Sequence, residues 1–151
     1  MVKILKSVYD RIKNHAERGY PDEVCGLLIG RDGKIDMFID MFKEARNLNR
    51  ERSRDRYELD PLSYIEADDE ARAKGDRIIG IYHSHPDHPP LPSPFDREIA
   101  SVDYVYIILS IRNGRFHEGR AWILRGEDKD SPFSEEILEV ISDSEVSDAQ
   151  G

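Results

Sequence analysis

The sequence predicts an α+β domain built around a mixed sheet, and three observations predict it. Its 151 residues suit one domain of ordinary size, with enough chain to bury a core. Apolar residues follow helical spacing in some stretches and strand-like runs or alternation in others. Taken in order, these stretches run helix, two strands, helix, strand, helix, two strands, without internal repeats.

Ile4, Leu5, Val8, Ile12 and Ala16 recur at three- and four-residue steps, and Gly19 with Pro21 supplies a stop, so a helix is expected over 4–18. EVCGLLIG, the turn RDGK and the alternating IDMFIDMF predict a hairpin. NLNRERSRDR has no apolar period, and YELDP closes it with a short extended piece, so 47–58 is expected to be a mobile surface loop. PLSYIEADDEARAKG carries proline near its start and glycine after its end, which predicts a helix over 61–74. RIIGIYHSH reads as a buried strand. After a Pro-rich loop, SPFDREIASVD predicts a short helix, and YVYIILSI, NGR and FHEGRAWIL a second hairpin. SEEILEVISD fits strand or helix equally well, and SEVSDAQG looks solvated. The domain is therefore drawn over 1–140, with a flexible acidic tail at 141–151.

Hydrophobic residues make up 38% and charged residues 35%, which describes a globular chain with a heavily ionised surface. Against 22 basic residues stand 31 acidic ones, a net charge of −9. That sign disfavours a nucleic-acid backbone or an anionic membrane as partner. The single Cys25 excludes an internal disulfide and a cysteine-rich metal cluster, so any metal must be held by histidines and carboxylates. The first residues mix charged with apolar side chains and show no signal-like apolar run, and a cytoplasmic location is expected.

The chemistry concentrates in GIYHSHPDHPPLPSPFD. His83 and His85 stand two apart at the end of an apolar strand, so both rings leave the same face and can converge on one ion. Two imidazoles and the carboxylate of Asp96 suit a borderline cation such as Zn²⁺, with the fourth tetrahedral position left to water. Each residue also has a plain structural explanation. A strand-end histidine pair can be satisfied by hydrogen bonds alone. S-P-x-D is also what a helix start looks like, with Ser93 as N-cap and Asp96 three residues on. The two roles are compatible, since a capped first turn would hold the Asp96 carboxylate still. His88 in the Pro-rich loop would close the site as a fourth protein ligand and is read as solvated. Cys25, Tyr57 and Trp122 are read as packing.

The full spacing, H-x-H, seven residues, S, two residues, D, preceded upstream by a glutamate ahead of an apolar run, resembles that of the JAMM metalloproteases, also called the MPN+ class. The resemblance extends from the first helix to the strand ending at Leu124. It implies a single JAB/MPN-like domain with a curved mixed sheet flanked by helices, and the element order with the strand-end histidine pair puts the zinc at the sheet's edge. It implies His83, His85 and Asp96 as ligands of one Zn²⁺ and Glu23 as the base that moves a proton from the water ligand to the leaving amine. Ser93 would steady the oxyanion. Glu17, Glu44 and Glu58 compete for the base on residues alone, and only the resemblance selects Glu23. The motif is most similar to that of compact prokaryotic members linked to ubiquitin-like and sulfur-carrier proteins. The implied reaction is amide hydrolysis after a C-terminal Gly-Gly, including release of a single amino acid. Some members self-associate, which allows a homodimer. The competing class is a catalytically silent MPN-type scaffold that binds proteins. Barrel amidohydrolases need about 250 residues, and nucleoside deaminases a P-C-x-x-C pair that this chain lacks.

Overall fold

The structure is a computed structural model that describes residues 1–124 and 133–144. Along the chain come β1 (Val2–Leu5), α1 (Lys6–Gly19), β2 (Cys25–Asp32), β3 (Met37–Ala45), α2 (Pro61–Ala73) and β4 (Arg77–Pro86). They are followed by α3 (Pro94–Ile99), β5 (Val105–Arg112), β6 (Arg115–Leu124), β7 (Phe133–Glu136) and β8 (Leu138–Ile141). Among the described residues all eight strands belong to one sheet, in the order β7-β6-β5-β4-β2-β3-β1-β8. The β2–β3, β2–β4, β5–β6 and β6–β7 pairs are antiparallel, and β4–β5, β1–β3 and β1–β8 are parallel. The expected mixed sheet is present, and it is strongly curved. The two ends of its order, β7 and β8, are separated in the chain by Ile137 alone, so one segment pairs with both margins.

The sheet buries both faces. On one, Val8, Ile12 and Ala16 of α1 pack on Leu28, Ile39, Tyr82 and Ile107. On the other, Ala67 and Ala71 of α2 pack on Leu27, Ile29 and Ile78. Alternation along β4 sends Tyr82 towards α1, and Ile81, His83 and His85 towards the opposite face. Gly26 is required beside Tyr82, because a Cβ there would lie 2.2 Å from its ring.

Four expectations change. Residues 2–5 form a strand, and the helix begins only at Lys6. Val2 and Ile4 are fully buried by alternation between β3 and β8, and Ile4, Leu5 and Val8 satisfy either period. The helix after Ser93 stops at Ile99, short of the expected span. The histidine pair lies on β4, in the middle of the strand order and not at the sheet's edge.

The 47–58 loop is fastened at its neck and is not a free connector. The Asn47 side-chain amide donates to the carbonyls of Glu23 (2.9 Å) and Arg56 (3.1 Å), and its oxygen accepts from the N–H of Asn49 and Glu58. The C-terminal stretch left open between strand and helix is strand in β7 and β8. Asp143 then caps the start of α1 through Ser7. The expected acidic tail lies, from residue 145 onward, outside the described residues. Among the described residues no helix is long and apolar enough to cross a membrane.

Candidate metal centre and cleft

Antiparallel pairing of β2 with β4 sets Cys25 opposite His83. It is prolonged upstream by Ser84, whose N–H donates to the Val24 carbonyl (3.0 Å) and whose hydroxyl accepts from the Val24 N–H (2.8 Å). Glu23 is thereby carried to the His83 ring, where its Oε1 lies 3.1 Å from His83 Nδ1. Its own N–H donates to the Ser53 carbonyl at 2.5 Å. Asp96 arrives from the other side on α3. The Ser93 hydroxyl accepts from the Asp96 N–H (3.0 Å), and the Ser93 N–H donates to Asp96 Oδ2 (2.8 Å), a reciprocal capping box. The cap foreseen from S-P-x-D therefore exists, and it aims the carboxylate at the histidines.

Glu23, His83, His85 and Asp96 each offer a ligand atom, and these atoms all lie within 4.8 Å of one another. All four residues are buried, His83 completely. His85 Nδ1 lies 2.9 Å from the Pro89 carbonyl, which can only accept, so Nδ1 carries the hydrogen and a neutral ring presents its Nε2 lone pair. That lone pair faces Asp96 Oδ2 at 3.1 Å. In the same way His83 Nδ1–H donates to Glu23 Oε1, and His83 Nε2 is left buried without a hydrogen-bond partner, 3.8 Å from Asp96 Oδ1. Two nitrogen lone pairs and a carboxylate thus point at one another, an arrangement that calls for a cation between them. Two carboxylates, Glu23 and Asp96, are buried beside these rings, and a divalent ion would offset the cost of burying their charge. The donor set fits a metal ion.

The carboxylates and imidazoles also act strongly on one another. Burial alone would raise the Asp96 pKa, but His83 and His85 outweigh it and hold the carboxyl well below the usual range. Burial would lower that of His83, yet the charges of Asp96 and Glu23 bring it above the ordinary imidazole value. Cys25 lies outside the cluster, its Sγ 3.9 Å from the Arg46 carbonyl. Burial, with the Glu23 charge adding to it, pushes its thiol up to about 12.

The site opens into a cavity of about 410 Å³ whose walls include Glu23, His85, Ser93, Arg54, Arg56 and Phe95. His88 is exposed on its rim and outside the ligand group. Side chains read as packing have further tasks. Tyr57 stacks on His83, ring centroids 4.7 Å apart, and fixes that ring's plane. The Trp122 indole N–H donates to the Pro90 carbonyl at 3.0 Å and tethers the Pro-rich loop. The sequence assigns no role to Asn47 or Ser84 and marks Tyr57 only as packing; an aromatic beside a polar run and a serine between two histidines are the local signals there.

The profile of prokaryotic homologs of the JAB domain matches residues 5–125. The chain is 39% identical to the desampylase of Haloferax volcanii over 107 residues, which are 67% of this chain and 74% of the relative. It is 31% identical to the CysO-cysteine peptidase of Mycobacterium tuberculosis over 130 residues, 84% of this chain and 82% of the relative. A crystal structure of a JAB1/MPN domain protein from Archaeoglobus fulgidus superposes with a TM-score of 0.58, covering 93% of this chain and 97% of that one. At 20% identity that likeness is one of fold.

Proposed function

This chain belongs to the family of prokaryotic homologs of the JAB domain, and from that premise we propose that it is a zinc-dependent peptidase or isopeptidase. Its substrate is an amide bond following the C-terminal Gly-Gly of a ubiquitin-like or sulfur-carrier protein. The observation that carries this reading is the convergence of two histidine Nε2 lone pairs on Asp96 beside a buried glutamate in an open cleft.

His83, His85 and Asp96 would hold the ion, leaving Glu23 free for proton transfer. When bound, zinc supplies a Lewis acid that polarises the scissile carbonyl and makes a water acidic near neutrality. Glu23 takes a proton from the attacking water and delivers it to the departing nitrogen as the C–N bond breaks, so the acyl side gains a carboxylate and the other side a free amine. Ser93 has its hydroxyl oxygen engaged by the Asp96 N–H, and its own hydrogen remains available to the developing oxyanion. A Gly-Gly tail is suited to a narrow cleft, since it can lie extended without side chains to clash. The relatives named desampylase and CysO-cysteine peptidase support the carrier assignment.

The test incubates zinc-loaded protein with ubiquitin-like carriers extended beyond Gly-Gly and follows product masses. Cleavage at the Gly-Gly junction is expected. Cleavage confined to unrelated short peptides removes the carrier assignment. No cleavage by fully metallated protein hands the reading to a protein-binding scaffold. Light scattering on the same sample reads self-association.

A further inference from the structure

The chain as a whole is acidic, yet the stretch beside the metal centre is not: residues 46–56 hold Arg46, Arg50, Arg52, Arg54 and Arg56 against Glu51 and Asp55. Arg52 is already paired with Asp55. Arg54 is exposed and has no ion pair among the described residues, and Arg56 makes none either, its guanidinium lying over the Phe95 ring at 4.8 Å. Both line the cavity that contains Glu23, His85 and Ser93. Phe95 also lines a second groove of about 420 Å³, whose other walls are Tyr57, Leu59, Ile81 and Ile99 with Asn49 and Glu58, and which contains neither Glu23 nor an arginine. One aromatic ring is therefore shared by a mainly apolar groove and a basic cavity.

The proton path decides which part of a substrate enters which. Glu23 must stand within hydrogen-bond reach of the departing nitrogen, so the leaving residue occupies the cavity that Glu23 lines. The neutral glycine tail takes the apolar groove. A leaving lysine side chain would depart as a cation next to arginines, which is unfavourable. A leaving amino acid joined through its α-amine carries its own carboxylate close to the scissile nitrogen, in the cavity where the guanidinium groups of Arg54 and Arg56 stand without an ion pair among the described residues.

Resting on the peptidase reading above, we propose that Arg54 and Arg56 form a subsite for the free α-carboxylate of the leaving residue. The favoured substrate is thus a carrier whose Gly-Gly is followed by a terminal amino acid. Guanidinium groups bind carboxylates through paired, charge-assisted hydrogen bonds. The reaction is plain hydrolysis: water adds to the glycine carbonyl, the C–N bond breaks, and Glu23 passes the proton to the amine, releasing a free amino acid.

The test uses zinc-loaded full-length protein and one carrier ending in Gly-Gly-Ala, made as the free acid and as the C-terminal amide. Wild type is expected to prefer the acid by about tenfold or more in kcat/KM, the size of one charge-assisted hydrogen bond. The acid-to-amide ratio is expected to fall towards one in Arg54→Ala and further in Arg54→Ala/Arg56→Ala. Calorimetry on metal-loaded Glu23→Gln protein reads the same ratio in Kd without turnover. If wild type has no preference, or the variants keep it, the subsite is overturned. An equal loss on both substrates overturns it too, because the arginines then read the carrier body. If neither substrate is cleaved but the acid still binds about tenfold tighter, hydrolysis fails and the subsite stands. If neither is cleaved and binding does not discriminate, both fall.

Discussion

Glu23 owes its position to the backbone on either side of it. Its N–H and C=O are held by Ser53 and Asn47, and Val24 is locked to Ser84, so an isosteric change of the side chain leaves the local frame intact. Glu23→Gln is therefore expected to retain zinc by elemental analysis and lose turnover, whereas His83→Ala and Asp96→Ala lose both. Full activity in Glu23→Gln removes it as the base, and loss of metal makes it a ligand. Ser93→Ala is expected to slow turnover about a hundredfold and to cost about 1 kcal/mol of stability through the lost cap. Metal should stay, because the bond from the Ser93 N–H to Asp96 Oδ2 belongs to the backbone. His83, His85, Ser93 and Asp96 were legible because they share one short stretch whose spacing is itself a geometry. Glu23 was legible only through resemblance, since nothing local separates it from Glu17, Glu44 or Glu58. Asn47, Tyr57 and Ser84 act on groups far along the chain, and such contacts leave no local pattern.

The Pro-rich loop is held by three side chains from three strands, each taking one of three consecutive carbonyls. Ser110 Oγ donates to His88 O (2.6 Å), His85 Nδ1 to Pro89 O and Trp122 Nε1 to Pro90 O. Pro89 and Pro90 have no N–H to offer a neighbouring strand, so their carbonyls are the only backbone handles there. Trp122→Phe keeps an aromatic ring and removes one handle. It is expected to lower stability by about 1 kcal/mol in denaturant unfolding and to raise hydrogen exchange around residues 88–92 while zinc is retained. Unchanged exchange there would mean the tether is idle. The same scale holds the clearest misreading of the sequence. Ile4, Leu5 and Val8 fit a helical face, but Val2 and Ile4 are drawn into the sheet because strands flank them on both sides. Hairpins with local turn signals, such as Asn113-Gly114 with both φ angles positive, were readable, whereas strands paired across the whole chain were not.

At the scale of the molecule the decisive segment is 133–141, which pairs with β6 through β7 and with β1 through β8. A chain ended after residue 132 would expose the outer backbone of both β1 and β6. It is expected to associate or precipitate, read by light scattering, since unpaired strand margins recruit other chains. A truncated chain that stays monomeric with an unchanged melting temperature would show the segment to be dispensable.

The same arrangement sets a timetable. β2 to β5 find their partners nearby in sequence, apart from the α2 and α3 crossovers, while β8 must meet β1 from the far end of the chain. Long-range closure is the slow part of folding. During synthesis β1 and β4 leave the ribosome before β8, so the histidine strand and its glutamate neighbour are assembled while the roll is still open. The amides of β8 are accordingly expected to be the last to gain protection in pulse-labelled refolding, after those of β4.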